Sequence, residues 1–372
     1  MNGKLSIRYF AHSWVSDWNH GNAHFLRGLA SSLARRGHEV RCYEQLGSWS
    51  LSNLVRQEGD RATDAVDEFR KSFPELNVRF YNNDAGLQDY LREELKGAEI
   101  VIIHEWNDPA IVGAILSFKK EFGFTALFHD THHRAYTNAG EILRMQLHNF
   151  DGVLAFGEAI RKIYLDGFGV ARAWTFHEAA DISHFVPLQR EKEWDILWVG
   201  NWGDEERTRE LQDYLIGPAR ELPNAKFAVH GVRYPGEGLR KLAQAGIAYC
   251  GYLPNLETPQ TYAKSKLTLH VPRRQYANGL SGIPTIRVFE ALACGIPLLC
   301  SPWTDVEGLF RPGQDYLTVS DSEGMKNEIA WLLKDDKARE QMAQSGLTTI
   351  RAKHTCEHRA EQLLGIIEEI GR

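Results

Sequence analysis

A chain of 372 residues exceeds one ordinary domain and suits two, each able to bury its own core. A composition of 43% apolar and 25% charged residues excludes disorder on a large scale. A net charge of −6 argues against a nonspecific nucleic-acid binder, which needs a clustered excess of cations to displace counterions. Five cysteines without repeated spacing read as free thiols in a reducing compartment. Met1 to Phe10 has no long apolar core behind a basic region, and no later stretch approaches the roughly 20 apolar residues of a membrane span, so the expected location is the cytoplasm.

Leu5 to Phe10 reads as a strand and His12 to Asn22 as a polar and aromatic loop. Phe25, Leu26, Leu29 and Leu33 then recur on one face of a helix that Arg35-Arg36-Gly37 closes before the strand Val40 to Tyr43. This is a right-handed βαβ opening, and His20-Gly21-Asn22 falls at the edge where open α/β sheets bind ligands. It is no Gly-x-Gly-x-x-Gly fingerprint, which argues against a dinucleotide. Ser48 to Pro74 is polar and helical in character. Val78 to Tyr81 and Glu99 to Ile103 are further strands, the second almost wholly apolar, as a central parallel strand should be. Asp108-Pro109 begins a helix with a side-chain cap and a proline at its first position.

Thr125 to Phe128 is another core strand, and His129-Asp130-Thr131-His132-His133-Arg134 leaves its carboxyl end. Three readings stay open for this cluster. One imidazole, paired with Asp130, takes a proton from a hydroxyl; or His129, His132 and His133 ligate zinc; or the imidazoles cap the next helix and satisfy backbone carbonyls. Gly152 to Phe156 and Arg172 to Phe176 finish the first sheet, with a short helix ending at Gly167 between them.

The polar run Gln189 to Glu193 separates the halves, and Asp195 to Val199 restarts the alternation with Gly200-Asn201 at its end. Ala225 to His230, Ile247 to Cys250 and Lys266 to Val271 continue the strands, with Thr258-Pro259 opening the helix between the last two. Arg273 and Arg274 then precede a turn-rich lead-in ending at Pro284, which suits the first position of a helix. Ile286, Phe289, Leu292 and Ala293 recur at helical spacing, Gly295 sits where a left-handed cap stops the helix, and Leu298 to Cys300 is a short strand. The N-terminus of that helix suits a phosphate, and Arg273, Arg274 and Arg287 are cations for a diphosphate. Glu290, one turn after Arg287, is a carboxylate able to accept from vicinal hydroxyls, which completes what a nucleotide-sugar site requires. The end of the chain is helical, over Met325 to Leu333, Ala338 to Ile350 and His358 to Ile370.

Arg287-Val-Phe-Glu290-Ala-Leu-Ala-Cys-Gly295-Ile-Pro297 resembles the nucleotide-sugar motif of GT-B glycosyltransferases, most of all the CgeB-like branch related to the spore maturation protein CgeB. The segment Glu178 to Pro187 is similar to the one joining the two halves of such enzymes, and His354-Thr355 with Arg359 resembles the entry to the branch's last helix. The resemblance implies an α/β fold of two Rossmann-like domains facing each other across a cleft, with a C-terminal helix crossing back to the first. The expected divisions are an acceptor-side domain over 1–187, a donor-side domain over 188–352 and the returning helix over 353–372.

It implies further that Glu290 holds a ribose, that Gly21, Asn22, Gly200, Asn201 and Thr285 approach the donor beside the three arginines, and that His129, Asp130 and His132 act on the sugar or on the acceptor proton. Two departures stand out. Gly282 takes the place of a second Glu that contacts the donor sugar, and the usual Lys-Gly pair after the first strand of the second domain is missing, leaving Arg207 or Arg209 as substitutes. The sequence has no Asp-x-Asp, the motif by which GT-A enzymes hold a metal-bound diphosphate, so no metal and no cofactor is expected. The expected activity is hexosyltransferase-like transfer from a nucleoside diphosphate sugar, UDP-sugar first, to an unidentified hydroxyl-bearing acceptor, with no nucleic-acid partner and no transmembrane segment. A sugar-nucleotide epimerase or hydrolase on the same fold, or a noncatalytic surface or coat assembly protein with a vestigial cleft, are the alternatives.

Overall fold

The computed structural model describes residues 3–280 and 282–371; Met1, Asn2 and Arg372, at the ends of the expected domains, and Ser281, in the expected lead-in, lie outside the described residues. The chain forms two compact units, one made of the chain up to Glu178 together with the segment from Cys356 onward, the other of Ala179–Thr355.

The first unit is built on seven strands: β1 (Ser6–Phe10), β2 (Glu39–Gln45), β3 (Asn77–Tyr81), β4 (Ile100–His104), β5 (Thr125–Asp130), β6 (Gly152–Ala155) and β7 (Ala173–Thr175). All pair in parallel, in the order β3-β2-β1-β4-β5-β6-β7. Every residue of β4 is buried, because helices cover both faces of a parallel sheet. The order reverses between β1 and β4, and that switch point opens a crevice at the carboxyl ends of the two strands.

The helix Ala23–Arg35 buries nearly its whole length and ends with Arg35 in its last turn, before Gly37 at φ +93°. Against it packs the last helix, Cys356–Ile370, so the end of the chain belongs to the first unit. Glu357 pairs with Arg35 and Arg36 at 3.2 Å, and Arg359 donates to the His177 carbonyl at 2.9 Å.

The second unit is a six-stranded parallel sheet: β8 (Trp194–Val199), β9 (Phe227–His230), β10 (Ala248–Tyr249), β11 (Ser265–His270), β12 (Leu298–Cys300) and β13 (Leu317–Thr318), ordered β10-β9-β8-β11-β12-β13. Ile196, Trp198, Val229, Leu267, Leu269 and Leu299 carry its core. The switch point here lies between β8 and β11.

Some expectations shift. The compact units divide at Glu178, whereas the sequence places the boundary at 187, because the segment after Glu178 is tied to the second unit. Ala180 donates to the His354 carbonyl at 2.9 Å, and Gly295 is so close that a Cβ there would stand 3.2 Å from Pro187 Cγ. Pro284 is not helical. Thr285, at φ −80° and ψ 162°, is the N-cap, and the helix runs Ile286–Ala293. Its C-terminal end follows expectation, with Gly295 at φ +63° and the Ile296 N–H bonded to the Ala291 carbonyl. Thr258 lies inside its helix, with Glu257 as the cap residue. β5 runs two residues further than expected, which changes the reading of His129 and Asp130.

Candidate functional site

At the switch point of the second unit, Gly200 and Asn201 follow β8 and Val271 follows β11. Arg207 spans the two loops, with Nη1 3.1 Å from the Val271 carbonyl and Nη2 3.1 Å from Asn201 Oδ1, and its guanidinium lies 5.7 Å from the Trp198 ring centre. Its Nε is buried and meets no hydrogen-bond partner among the described residues. Burial, and then the neighbouring charge of Arg273, bring Arg207 down to about 9, so it stays cationic at neutral pH. Arg209, the other substitute suggested by the sequence, is mostly exposed and faces Asp213.

His270 ends β11 with Nε2 3.0 Å from the Thr285 hydroxyl, and burial lowers its pKa to about 3, so it is neutral. The Thr285 side chain makes no capping bond to the helix it precedes. One turn in, Glu290 is fully buried and accepts from the Arg287 guanidinium and, at 3.3 Å, from Asn255 Nδ2. The Tyr262 phenol beside them is pushed well up by burial and by the Glu290 charge.

Arg273 and Arg274 bond different acids. Arg273 bonds Glu206 at 2.6 Å and Arg274 bonds Glu210 at 3.0 Å, with the Arg274 side chain 49% exposed. Both acids lie in the segment following β8. Gly282 has φ +92°, a conformation costly to any other residue, and a Cβ there would overlap Val306 Cγ2 and stand 3.2 Å from the Val306 backbone nitrogen. The missing second Glu therefore has a backbone cause.

In the first unit, β5 carries His129 and Asp130 as its last two residues, both fully buried. Neighbours along a strand point to opposite faces, so the expected His129–Asp130 pair does not form. His129 Nδ1 bonds the Tyr9 hydroxyl, and its ring packs edge-on to Phe25 and Phe176. Asp130 instead accepts from Tyr164 Oη at 2.5 Å and from the His132 backbone N–H at 2.8 Å. Burial, then the charge of Glu105, hold the Asp130 pKa well above its usual range.

His132 lies edge-on to Trp106 and beside His133, and His133 Nδ1 lies 2.9 Å from the Thr137 hydroxyl but makes no side-chain capping bond to the helix it precedes. Among the described residues no group of three or more His, Cys, Asp or Glu side chains could hold a metal ion, so the zinc reading of His129, His132 and His133 finds no geometry. Gly21 and Asn22 precede the helix Ala23–Arg35, where Asn22 Nδ2 lies 3.3 Å from the Thr131 carbonyl.

Sequence reasoning missed His12 and His104, which join His20 and His129 in one cluster, and also Glu105 and Arg134, which pair at 3.0 Å beneath Trp106. His104 and His129 are direct partners in the β4–β5 register. Two histidines at the carboxyl ends of strands expected to be neighbours were the available signal.

Two family models match the chain. One, described as glycosyl transferase-like, matches residues 207–365, and the other, glycosyltransferase family 4, matches residues 21–183. The O-antigen chain mannosyltransferase B of Escherichia coli is 25% identical over 158 residues, which are 41% of this chain and 40% of that protein, so the match spans well under half of the relative's length. Among solved structures, the sucrose-phosphate synthase of Thermosynechococcus elongatus superposes with a TM-score of 0.67 at 13% identity, covering 99% of both chains. HepE of Anabaena, solved with UDP and glucose, superposes with a TM-score of 0.70 at 11% identity, covering 98% of this chain and 99% of that one. The fold is GT-B, and each half of the chain matches a glycosyltransferase family model.

Proposed function

We propose that this glycosyltransferase moves a sugar from a UDP-sugar to a hydroxyl-bearing acceptor, with the nucleotide held at the switch point of the second unit. The observation that carries the reading is Arg207, a cation set between the ends of β8 and β11 with a buried Nε that no described residue accepts from. A diphosphate oxygen would supply that acceptor, and a charge-assisted hydrogen bond in a dry site is among the strongest a protein makes. Support for uridine comes from HepE, solved with UDP, and from a glucosyltransferase solved with UDP that superposes with a TM-score of 0.71 at 11% identity.

Glu290, already oriented by Arg287 and Asn255, would accept from the ribose hydroxyls. As the bond to the sugar breaks, negative charge gathers on the departing diphosphate. Arg207, Arg287 and Arg273 and the N-terminus of the helix Ile286–Ala293 would stabilise it, which is the basis for reading the reaction as metal-independent. Arg274, paired with Glu210, contributes at longer range. Gly200, Asn201 and Thr285 would line the diphosphate, with Gly21 and Asn22 as further donor contacts.

His129, with Tyr9 on one ring nitrogen, would contact a hydroxyl of the sugar or of the acceptor through the other. His132 stands next to the acceptor, and Asp130 acts by positioning the His132 backbone. The CgeB-like branch rests on the motif Arg287 to Pro297 and the His354 to Arg359 segment. Five free thiols support the cytoplasm as its compartment, and among the described residues no helix is long and apolar enough to cross a membrane.

The test is product analysis with one labelled UDP-sugar, with and without a mixture of acceptors. Label that moves to a new molecule only when acceptors are present supports transfer. Label that leaves as free sugar or as an isomerised nucleotide sugar, with no dependence on acceptor, would establish the hydrolase or epimerase alternative.

A further inference from the structure

Four histidines meet at the carboxyl edge of the first sheet, from three different stretches of chain. His12 and His20 have ring centres 4.2 Å apart, His12 and His104 5.6 Å, His20 and His104 5.8 Å, and His104 and His129 5.6 Å. His104 and His129 are fully buried and His20 is 7% exposed, while His12 is partly exposed and marks the rim together with Trp106.

His12 Nδ1, both ring nitrogens of His20, His104 Nδ1 and His129 Nε2 are buried and meet no hydrogen-bond partner among the described residues. Each buried polar atom left in that condition costs roughly 1–3 kcal/mol, and so many in one cluster is far more than a core tolerates without something to bond. The remaining nitrogens of His104 and His129 are engaged, by the Thr131 and Tyr9 hydroxyls, which fixes the rings and directs the others.

The charges around the cluster decide what it receives. Arg134 is matched by Glu105 at 3.0 Å, and Arg27 by Asp17 at 3.1 Å. With both guanidinium groups paired, no excess of cations faces the cluster to hold an anion. Burial lowers His12 and His129 to about 3 and takes His20 and His104 well down, so the four rings stay neutral at ordinary pH. A neutral imidazole has one donor and one acceptor nitrogen, and a hydroxyl group, which both donates and accepts, answers either. Ammonium groups only donate, and carboxylates and phosphates only accept.

We propose that the ring nitrogens of His12, His20, His104 and His129 form a hydroxyl-recognition subsite, and that the acceptor held there is an uncharged carbohydrate. This rests on the reading of the protein as a sugar-transferring enzyme and names the chemical class of its second substrate. Trp106, 38% exposed at the rim with Arg134 stacked 3.9 Å from its ring centre, gives the sugar an apolar surface.

The experiment uses the full chain without nucleotide. Methyl α-glucoside, methyl α-mannoside and methyl N-acetyl-α-glucosaminide are compared with glucose 6-phosphate and glucuronate by saturation-transfer NMR, and the imidazole nitrogen resonances of the wild-type protein are followed in the same titrations. At least one neutral glycoside should bind and move nitrogen resonances assigned to the cluster. The anionic sugars should bind at least about fivefold more weakly, a difference of about 1 kcal/mol. His20→Phe should weaken glycoside binding by about fivefold or more while leaving UDP affinity unchanged. Because a buried variant can fail to fold, His12→Asn at the rim is measured beside it. Anionic sugars binding as well as neutral ones, or no glycoside moving the cluster's resonances, would overturn the proposal. Glycoside binding that persists in a protein unable to bind UDP would instead count against the donor reading and in favour of this one.

Discussion

Gly282 faces Val306 so closely that any Cβ at position 282 would overlap Val306 Cγ2, and its φ of +92° is one that only glycine adopts at low cost. The position where the resemblance leads one to look for a second Glu therefore cannot carry it without rebuilding the loop around residue 306. Gly282→Ala should lower stability by about 1–3 kcal/mol, measured by urea unfolding. The exposed Val306 side chain can be trimmed, so Val306→Ala in the same protein should restore part of the loss and leave the backbone strain. Unchanged stability of Gly282→Ala would show that the turn has another conformation.

Glu290 is fully buried and engaged by Arg287, whose side chain is 25% exposed. Glu290→Ala removes the buried carboxylate that Arg287 pairs with, which should cost about 2–4 kcal/mol of stability. It should also weaken UDP binding by about 1.5–3 kcal/mol, since charged hydrogen bonds to the ribose are lost. Calorimetry with UDP and, separately, with inorganic pyrophosphate distinguishes the two effects: pyrophosphate binding should survive the substitution. Undiminished UDP affinity would remove Glu290 from the ribose site.

The helix that carries Glu290 was legible because its signals are local. Apolar residues at helical spacing end at Gly295, and the left-handed φ there agrees. β4 was equally legible, being apolar over its whole length. What escaped depends on chain segments far apart. His12, His20, His104 and His129 meet through the parallel pairing of β1 with β4 and of β4 with β5, whereas the sequence drew attention to the compact run His129 to Arg134. That run is split by the pleat, and ending the strand at Phe128 concealed it, since His129 and Asp130 are still in β5 and face opposite ways. Arg273 and Arg274 read as a free cationic pair because the acids that hold them, Glu206 and Glu210, lie more than sixty residues earlier in the chain. Arg207, one of those same loop's residues, received less weight than its position between β8 and β11 warrants.

Burial lowers His12, His129 and His270 to about 3, against an ordinary value of 6.5. The unfolded chain therefore binds more protons than the folded one between those values, and stability is full above about pH 6.5 and falls as pH is lowered toward 3. Each such histidine contributes a slope of up to about 1.4 kcal/mol per pH unit in that window. Thermal melting from pH 7.5 to 4.5 should show the decline, and His129→Gln, which cannot titrate, should flatten it. A melting temperature independent of pH over this range would contradict the buried, neutral state of these rings.

Asp130 works in the opposite sense. Its pKa is raised by burial and by Glu105, so the folded state holds a proton that the unfolded state has released, and stability falls as pH rises from the ordinary carboxyl range. Asp130→Asn, which keeps the shape and removes the titration, should gain stability relative to wild type as pH increases from 4 to 8. A difference that stays constant with pH would mean that Asp130 titrates normally in the folded protein.

The central claim is that Arg207 grips a diphosphate between the ends of β8 and β11, and the most direct measurement is calorimetric titration of UDP into the intact protein and into Arg207→Ala. Wild type should bind UDP at one site, and the variant, shown to unfold cooperatively, should bind at least about tenfold more weakly, a loss of about 1.4 kcal/mol or more. Equal UDP affinity in the two proteins, or no UDP binding by wild type, would contradict the account.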